Sequence, residues 1–161
     1  MNTGEMFLTL GGIFLLTMLI MNVNKATGFR IVTMYSNETI IEATGVAEAL
    51  LEDIQTKSFD EETISKPVTL RNLLTLNNLM GPDSGESSPT QFDDIDDYNN
   101  YSIIDSVNGM GEFGLSVNVY YVSETDPLVQ SSVRTYLKCV DVTITNISLP
   151  NTLIFKRLIS Y

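Results

Sequence analysis

The first third of the chain carries an apolar pattern that changes character once. Between Met6 and Asn24 there is no charged residue, so apolar side chains cover every face of a helix. After Lys25 the pattern becomes amphipathic, with apolar positions at helical spacing. These positions are Ile40, Ala47, Leu51 and Ile54, with Ile31, Met34, Ala43 and Leu50 beside them. We therefore predict one long helix from Met1 to about Lys57.

The last third of the chain alternates between apolar and polar positions. Apolar residues occupy every second position at Phe113, Leu115, Val117, Val119 and Tyr121, the pattern of a strand with one buried face. Similar segments span 102–107, 113–123, 132–146 and 151–160, with turn-forming sequences at 108–109 and 149–151. The pattern predicts an antiparallel meander of about four strands.

Together these patterns predict an α+β fold. The second half of the long helix is expected to pack on the C-terminal antiparallel sheet. We expect three regions: an apolar helical segment for assembly or membrane insertion (1–28), the amphipathic half of the helix (29–57), and a globular head with an acidic loop and the sheet (58–161). Gly11-Gly12, Asn22 to Asn24 and Gly28 are positions for either close helix packing or local unwinding.

Glu5 is the one acidic residue in the apolar segment. The segment is long enough to cross a bilayer, and it lacks the basic start and small-residue cleavage site of a signal peptide. An acid at the centre of a membrane helix costs roughly 2.5–3.5 kcal/mol, although the helix dipole offsets part of this near the N-terminus. We infer that Glu5 meets the amino terminus of Met1 in a neighbouring copy of the chain.

Three segments, in this order, resemble the type IV pilin superfamily, which includes the pseudopilins of type II secretion. The first is Met1, Glu5 and the apolar run 6–21; the second is AEALLEDIQTKSFDEET (47–63); the third is FDDIDDYNNY (92–101). The chain departs from the family pattern because no leader ending in Gly precedes Met1 and no proline interrupts the apolar run. We expect either a chain that is already mature or one that skips the usual cleavage.

The resemblance implies a structural subunit of an extracellular pilus-like filament, inserted in the cytoplasmic membrane before assembly. Its partners would be copies of itself, the inner-membrane assembly machinery and membrane lipid. The implied assembly residues are Met1, Glu5, Phe7, Leu8, Gly11, Gly12, Phe14 and Leu15. A minor pilin, a secretion pseudopilin and a monomeric membrane-anchored protein with an acidic ligand-binding domain remain alternatives.

Composition limits the chemistry further. The net charge of −11 argues against nucleic-acid binding, because no basic patch is present to neutralise phosphates. The sequence has no His, which removes the commonest general base and the imidazole metal ligand, and it contains no phosphate-binding or nucleophile-elbow motif. We expect that the protein is not an enzyme.

Asp93, Asp94, Asp96 and Asp97 form the one chemically suggestive cluster. Closely spaced carboxylates repel each other unless a cation intervenes, and Ca²⁺ takes several oxygen ligands. The glycine and distal Glu of an EF-hand loop are missing, so we favour a solvated acidic turn without a bound cofactor over a calcium site.

Two further features concern modification. Asn37, Asn100 and Asn146 lie in glycosylation sequons, which also arise by chance in a chain rich in Asn, Ser and Thr. Cys139 is the single cysteine, so no intramolecular disulfide is possible, and its alternating segment predicts a packed or half-buried strand residue.

Overall fold

A computed structural model describes residues 2–161 of the chain. The order of elements is helix α1 (Thr3–Gln55), helix α2 (Glu61–Ser65), and strands β1 (Ser102–Val107), β2 (Gly111–Tyr121), β3 (Leu137–Thr145) and β4 (Leu153–Ser160). Two short 3₁₀ turns, Arg71–Leu73 and Asp96–Tyr98, lie between the helices and the sheet. The chain divides into two compact units, residues 1–38 and 39–161. The α+β prediction is confirmed.

Helix α1 is continuous through every position at which local unwinding was an alternative. Gly11-Gly12, Asn22 to Asn24 and Gly28 all have helical backbone. In the unit 39–161, α1 buries one narrow stripe of residues: Thr39, Ala43, Ala47, Leu51 and Ile54. Their spacing of three and four residues is that of one helix face. The predicted apolar face is buried only in part: Ile40 is half-buried because the stripe begins at Thr39, and Ile31 and Met34, in the unit 1–38, are 54% and 55% exposed.

The sheet is a simple antiparallel meander in the order β1-β2-β3-β4. Strand β2 buries every second residue from Phe113 to Tyr121, as the alternation predicted. These side chains form one core with Val140, Val142 and Ile144 of β3 and with the buried stripe of α1. The sequence placed the start of β3 too early, at Ser132. The hydroxyl of Thr135 instead donates to the carbonyls of Val122 and Leu137, so the chain enters the sheet only afterwards.

Candidate functional site

The assembly residues predicted from the sequence lie on the first turns of α1. Met1 falls outside the described residues, whereas Glu5, Phe7, Leu8, Gly11, Gly12, Phe14 and Leu15 are all exposed. Phe7 is 71% exposed and Leu8 79%, values far above those of the core residues. The backbone at Gly11 and Gly12 is open, with no other atoms within 4 Å of an added Cβ. This stretch therefore offers small and large apolar groups together.

The apolar surface of this stretch extends around the whole helix. An 18-residue window of α1 has a mean hydropathy of 2.1, and none of that window is buried. The helix is long and apolar enough to cross a membrane, which agrees with the membrane insertion expected from the sequence. A helix that is hydrophobic on every side is stable only where lipid or protein covers it.

Glu5 lies in the first turn of α1. Its Oε2 accepts a hydrogen bond of 3.4 Å from the backbone N–H of Asn2. This position lets the carboxylate interact favourably with the positive end of the helix dipole. The carboxylate is exposed and lies beside the long apolar surface, so it is accessible to a cation supplied by another molecule.

The acidic segment, residues 93–97, is a folded element of the unit 39–161. Asp93 is exposed, but Asp94, Asp96 and Asp97 are buried, so the predicted solvated acidic turn is wrong for three of the four residues. The carboxylate of Asp97 accepts the backbone N–H groups of Asp93 and Asp94, and Asp94 accepts the N–H of Asp97. These bonds fold the segment tightly over the core.

The four aspartates do not meet at one cation-binding position. Instead, carboxylate oxygens of Glu86, Asp93 and Asp97 lie within 4.8 Å of one another. Burial and the neighbouring carboxylates raise the pKa of Glu86, and the pKa of Glu61 is raised for the same reasons. Glu86 was missed because it lies in the loop 81–90, and only the fold brings that loop to the acidic segment.

Asp96 points instead into a buried ionic cluster with Lys138 and Asp60. The ammonium of Lys138 lies 3.0 Å from Oδ2 of Asp60 and 2.8 Å from Oδ1 of Asp96. It also donates to the carbonyl of Phe59 at 2.6 Å. The side chains of Lys138 and Asp60 are 0% exposed and that of Asp96 is 3% exposed. No local sequence pattern indicates this cluster, because its members are far apart in the chain.

The two carboxylates of the buried cluster have different surroundings. Asp60 caps α2 and accepts hydrogen bonds from the backbone N–H groups of Glu62 and Thr75 and from the hydroxyl of Tyr121. Burial alone would raise the pKa of Asp60, but the charge and hydrogen bond of Lys138 together with these donors hold it below its usual value. Asp96 has no such donors, and among the described residues neither of its oxygens has a partner with hydrogen-bond geometry.

For Asp96 and Asp94, burial outweighs the groups that stabilise the anion, so their pKa values rise whereas that of Asp60 falls. Burial raises the pKa of Asp96 to about 6, against the opposing influence of Lys138. It raises the pKa of Asp94 to about 8, with the charges of Asp96 and Asp97 adding to the shift. The shift therefore favours the protonated form of Asp94 near neutral pH.

The remaining predicted positions have individual environments. Asn37 and Asn100 are exposed, whereas the side-chain amide of Asn146 donates to the carbonyls of Met110 and Glu112 and is thereby held against the sheet. Cys139 is buried on β3, which confirms the packed-strand prediction.

An open groove of about 570 Å³ runs beside Gly45, Ala49, Tyr101 and Ile103 and is mainly apolar.

No protein-family model, curated protein or solved structure matches the chain.

Proposed function

We propose that this chain is the structural subunit of an extracellular, type IV pilus-like filament that polymerises through the first half of α1. The observation that carries the proposal is the fully exposed apolar surface of that half, which bears one acid, Glu5, in its first turn. No enzymatic activity and no cofactor form part of the proposed function.

Burial of the apolar surface supplies the driving force for assembly. Each 1,000 Å² of apolar surface removed from contact with water contributes about 25 kcal/mol before the entropic costs of association. Before assembly, the same surface is covered by lipid, since the helix is long and apolar enough to span a membrane. The subunit then leaves the cytoplasmic membrane with the help of an assembly machinery and joins a filament on the cell surface.

Glu5 sets the register between subunits. In an apolar filament core, an ionised carboxylate is costly unless a cation pairs with it. The amino terminus of a neighbouring copy supplies such a cation when that copy is shifted along the helix by the correct distance. A misaligned copy leaves Glu5 unpaired, so the carboxylate acts mainly against wrong registers rather than adding net affinity.

The apolar groove beside α1 favours a second candidate function. A monomeric protein anchored by α1 would display the unit 39–161 as a ligand-binding head, with Glu42 and Asp105 among the residues that line the groove. In that case α1 needs only to be apolar, and the loss of Glu5 would be tolerated or would improve insertion.

Electron microscopy of material sheared from the cell surface tests the proposal, using an antibody against residues 58–161. Label along the length of filaments is the expected result for the main subunit. Label only at filament tips would indicate a minor pilin. Label confined to the cell envelope would contradict the filament proposal and favour the pseudopilin or the anchored protein.

A further inference from the structure

The buried cluster of Lys138, Asp60 and Asp96 has an arrangement suited to covalent chemistry. One amine lies within 3.0 Å of an oxygen of each of two carboxyl groups, and none of the three side chains is more than 3% exposed. The ring centroid of Phe59 lies 4.4 Å from the ammonium and that of Tyr121 lies 5.1 Å from it. The group is therefore enclosed by apolar and aromatic surface on the core side of β3.

A permanent ionic cluster at this position is energetically costly. Removing charges from water carries a large penalty, which an ion pair repays only if the remaining polar atoms also find partners. Asp60 meets that condition through its several donors, whereas Asp96 does not. The amine and the hydrogen-bond donors of the cluster therefore satisfy one carboxyl group, that of Asp60, and leave the carboxyl group of Asp96 without hydrogen bonds from residues 2–161.

We propose that Lys138 and Asp96 become joined by an intramolecular amide bond, with Asp60 as the catalytic proton acceptor. The bond forms between Nζ of Lys138 and Cγ of Asp96, and one water molecule leaves. A chain with one cysteine cannot form an intramolecular disulfide. An amide between Lys138 and Asp96 would instead provide a covalent cross-link between two distant segments of the chain.

The proton balance of the step closes without any external reagent. The reactants are the ammonium of Lys138, the carboxylate of Asp60 and the carboxylic acid form of Asp96. Asp60 accepts a proton from the ammonium, and the free amine then attacks Cγ of Asp96. The tetrahedral intermediate loses its hydroxyl group, together with the second proton of the nitrogen, as water. The products are a neutral amide and a neutral Asp60 carboxylic acid.

The contacts assign different roles to the two aspartates. Asp60 is a hydrogen-bonded carboxylate, which makes it a poor electrophile but places its Oδ2 at 3.0 Å from the amine. Asp96 lies 2.8 Å from the amine through Oδ1, outside hydrogen-bond geometry, and its carboxyl group is free of the donors that would stabilise the anion. The burial that raises the pKa of Asp96 to about 6 also favours the acid form that reacts.

The environment favours the product. Fixing the reacting groups in contact replaces a bimolecular condensation by an intramolecular one, for which effective molarities of about 10⁵ M or more are known. Reaction exchanges an ammonium and a carboxylate for two neutral groups, so the penalty for buried charge is relieved. Exclusion of water from the core then opposes hydrolysis of the amide.

An exposed ion pair between β3 and β4 provides the matched comparison. Lys156 lies 2.5 Å from Asp141 of β3, but the Lys156 side chain is 56% exposed. Water stabilises that charged pair, and the hydrogen bond to Asp141 raises the pKa of Lys156, so the free amine that would have to attack is disfavoured there. We therefore expect the link at Lys138 and not at Lys156, although both amines contact a carboxylate.

The decisive measurement is the intact mass of the full chain, purified in detergent from its membrane and denatured just before mass spectrometry. We expect a mass lower than that of the sequence by one water molecule. Proteolysis should yield a branched peptide joining the segments that contain Lys138 and Asp96, with no cleavage by trypsin after Lys138. Because this test uses the unmodified protein, it does not depend on a variant that folds.

Four variants check the assignment. Lys138→Arg and Asp96→Ala each remove a reacting group, so both should have their full sequence mass. Asp60→Ala removes the proton acceptor and should also have its full sequence mass. Lys156→Arg is the control and should still be lighter than its sequence by one water molecule. A full sequence mass for the unmodified protein would overturn the proposal. It would also be overturned if the lost water mapped to a single aspartate or to a link between Lys138 and Asp60.

Discussion

The two compact units of this protein use apolar residues in opposite ways. In residues 2–38, α1 exposes large side chains such as Phe7, Phe14 and Leu19 on every side. In residues 39–161, the same helix exposes its polar positions and buries only a narrow stripe, exemplified by Ala47 and Leu51. One helix therefore serves two purposes along its length.

The difference arises because only one of the two stretches of the helix is covered by other parts of its own unit. The later stretch shares a core with β2, β3 and the acidic segment, and this core covers small residues such as Ala43 and Ala47 completely. The earlier stretch has no such core in its own unit, and its surface requires lipid or other protein chains. Substitutions in residues 39–161 should therefore change the stability of the fold, whereas substitutions in residues 2–38 should change association.

The largest expected effect is in the buried ionic cluster. Lys138→Met removes the amine that faces Asp60 and Asp96, together with the proposed amide link to Asp96, and removing one partner of a buried pair typically costs about 3–5 kcal/mol. Lys156→Met removes an exposed pair and should cost at most about 1 kcal/mol. Urea unfolding followed by tyrosine fluorescence measures both, since the chain has no Trp. Equal losses from the two substitutions would contradict the account.

Matched leucine substitutions in the two units should separate stability from assembly. Leu51→Ala removes a buried side chain and should lower the free energy of unfolding by about 2–5 kcal/mol. Leu15→Ala alters an exposed position and should change it by no more than about 0.5 kcal/mol. Filament yield after shearing should instead fall for Leu15→Ala. A large loss of stability from Leu15→Ala would show that residues 39–161 depend on the first unit.

The third prediction concerns pH. Asp94 has a pKa of about 8 in the folded protein against an ordinary value of 3.8, so between these values the folded state binds more protons than the unfolded state. Stability should therefore fall as pH rises through this window, by about 1.4 kcal/mol for each pKa unit at most. Asp96 contributes in the same direction up to about pH 6 unless it is consumed in an amide.

Asp94→Asn should remove most of this slope. An amide imitates the protonated carboxyl group and keeps an oxygen to accept the N–H of Asp97. In protein without the amide link, Asp60 has the opposite linkage, because Lys138 lowers its pKa, so its contribution is lost on acidification below 3.8. Unfolding curves at a series of pH values check both signs, and an unchanged slope in Asp94→Asn would contradict the burial of this charge.

The smallest expected effect is at Glu86. Glu86→Gln relieves repulsion with Asp93 and Asp97 and should raise the free energy of unfolding by up to about 0.5 kcal/mol in calcium-free buffer. Because we expect no cofactor, millimolar Ca²⁺ should leave the unfolding midpoint of the unmodified protein unchanged. A Ca²⁺-dependent rise that disappears in Glu86→Gln would instead identify a cation site at these three carboxylates.

Local periodicity was sufficient to predict most of the fold. The alternation from Phe113 to Tyr121 and the helical spacing of Ala47, Leu51 and Ile54 depend only on which face of an element is buried. The start of β3 was harder to predict, because it depends on the hydroxyl of Thr135, which donates to the carbonyls of Val122 and Leu137. Such a contact leaves no periodic signal.

The acidic segment was the main failure of the sequence analysis. Four aspartates in a turn-rich stretch indicate solvent exposure, yet Asp96 lies against Lys138, 42 positions away in the printed sequence. Burial of the acids depends on that long-range pairing and on the fold of the loop around Glu86. Glu5, by contrast, stood out in the sequence because its apolar neighbours form one contiguous run.

Filament assembly in a Glu5→Ala strain tests the central claim most directly, with Glu52→Ala as the matched exposed acid on the same helix. The mass of filaments sheared from equal numbers of cells should fall sharply for Glu5→Ala and remain unchanged for Glu52→Ala. The unit 39–161 should fold normally in both strains. Normal filament yield from the Glu5→Ala strain would contradict assembly through a paired Glu5.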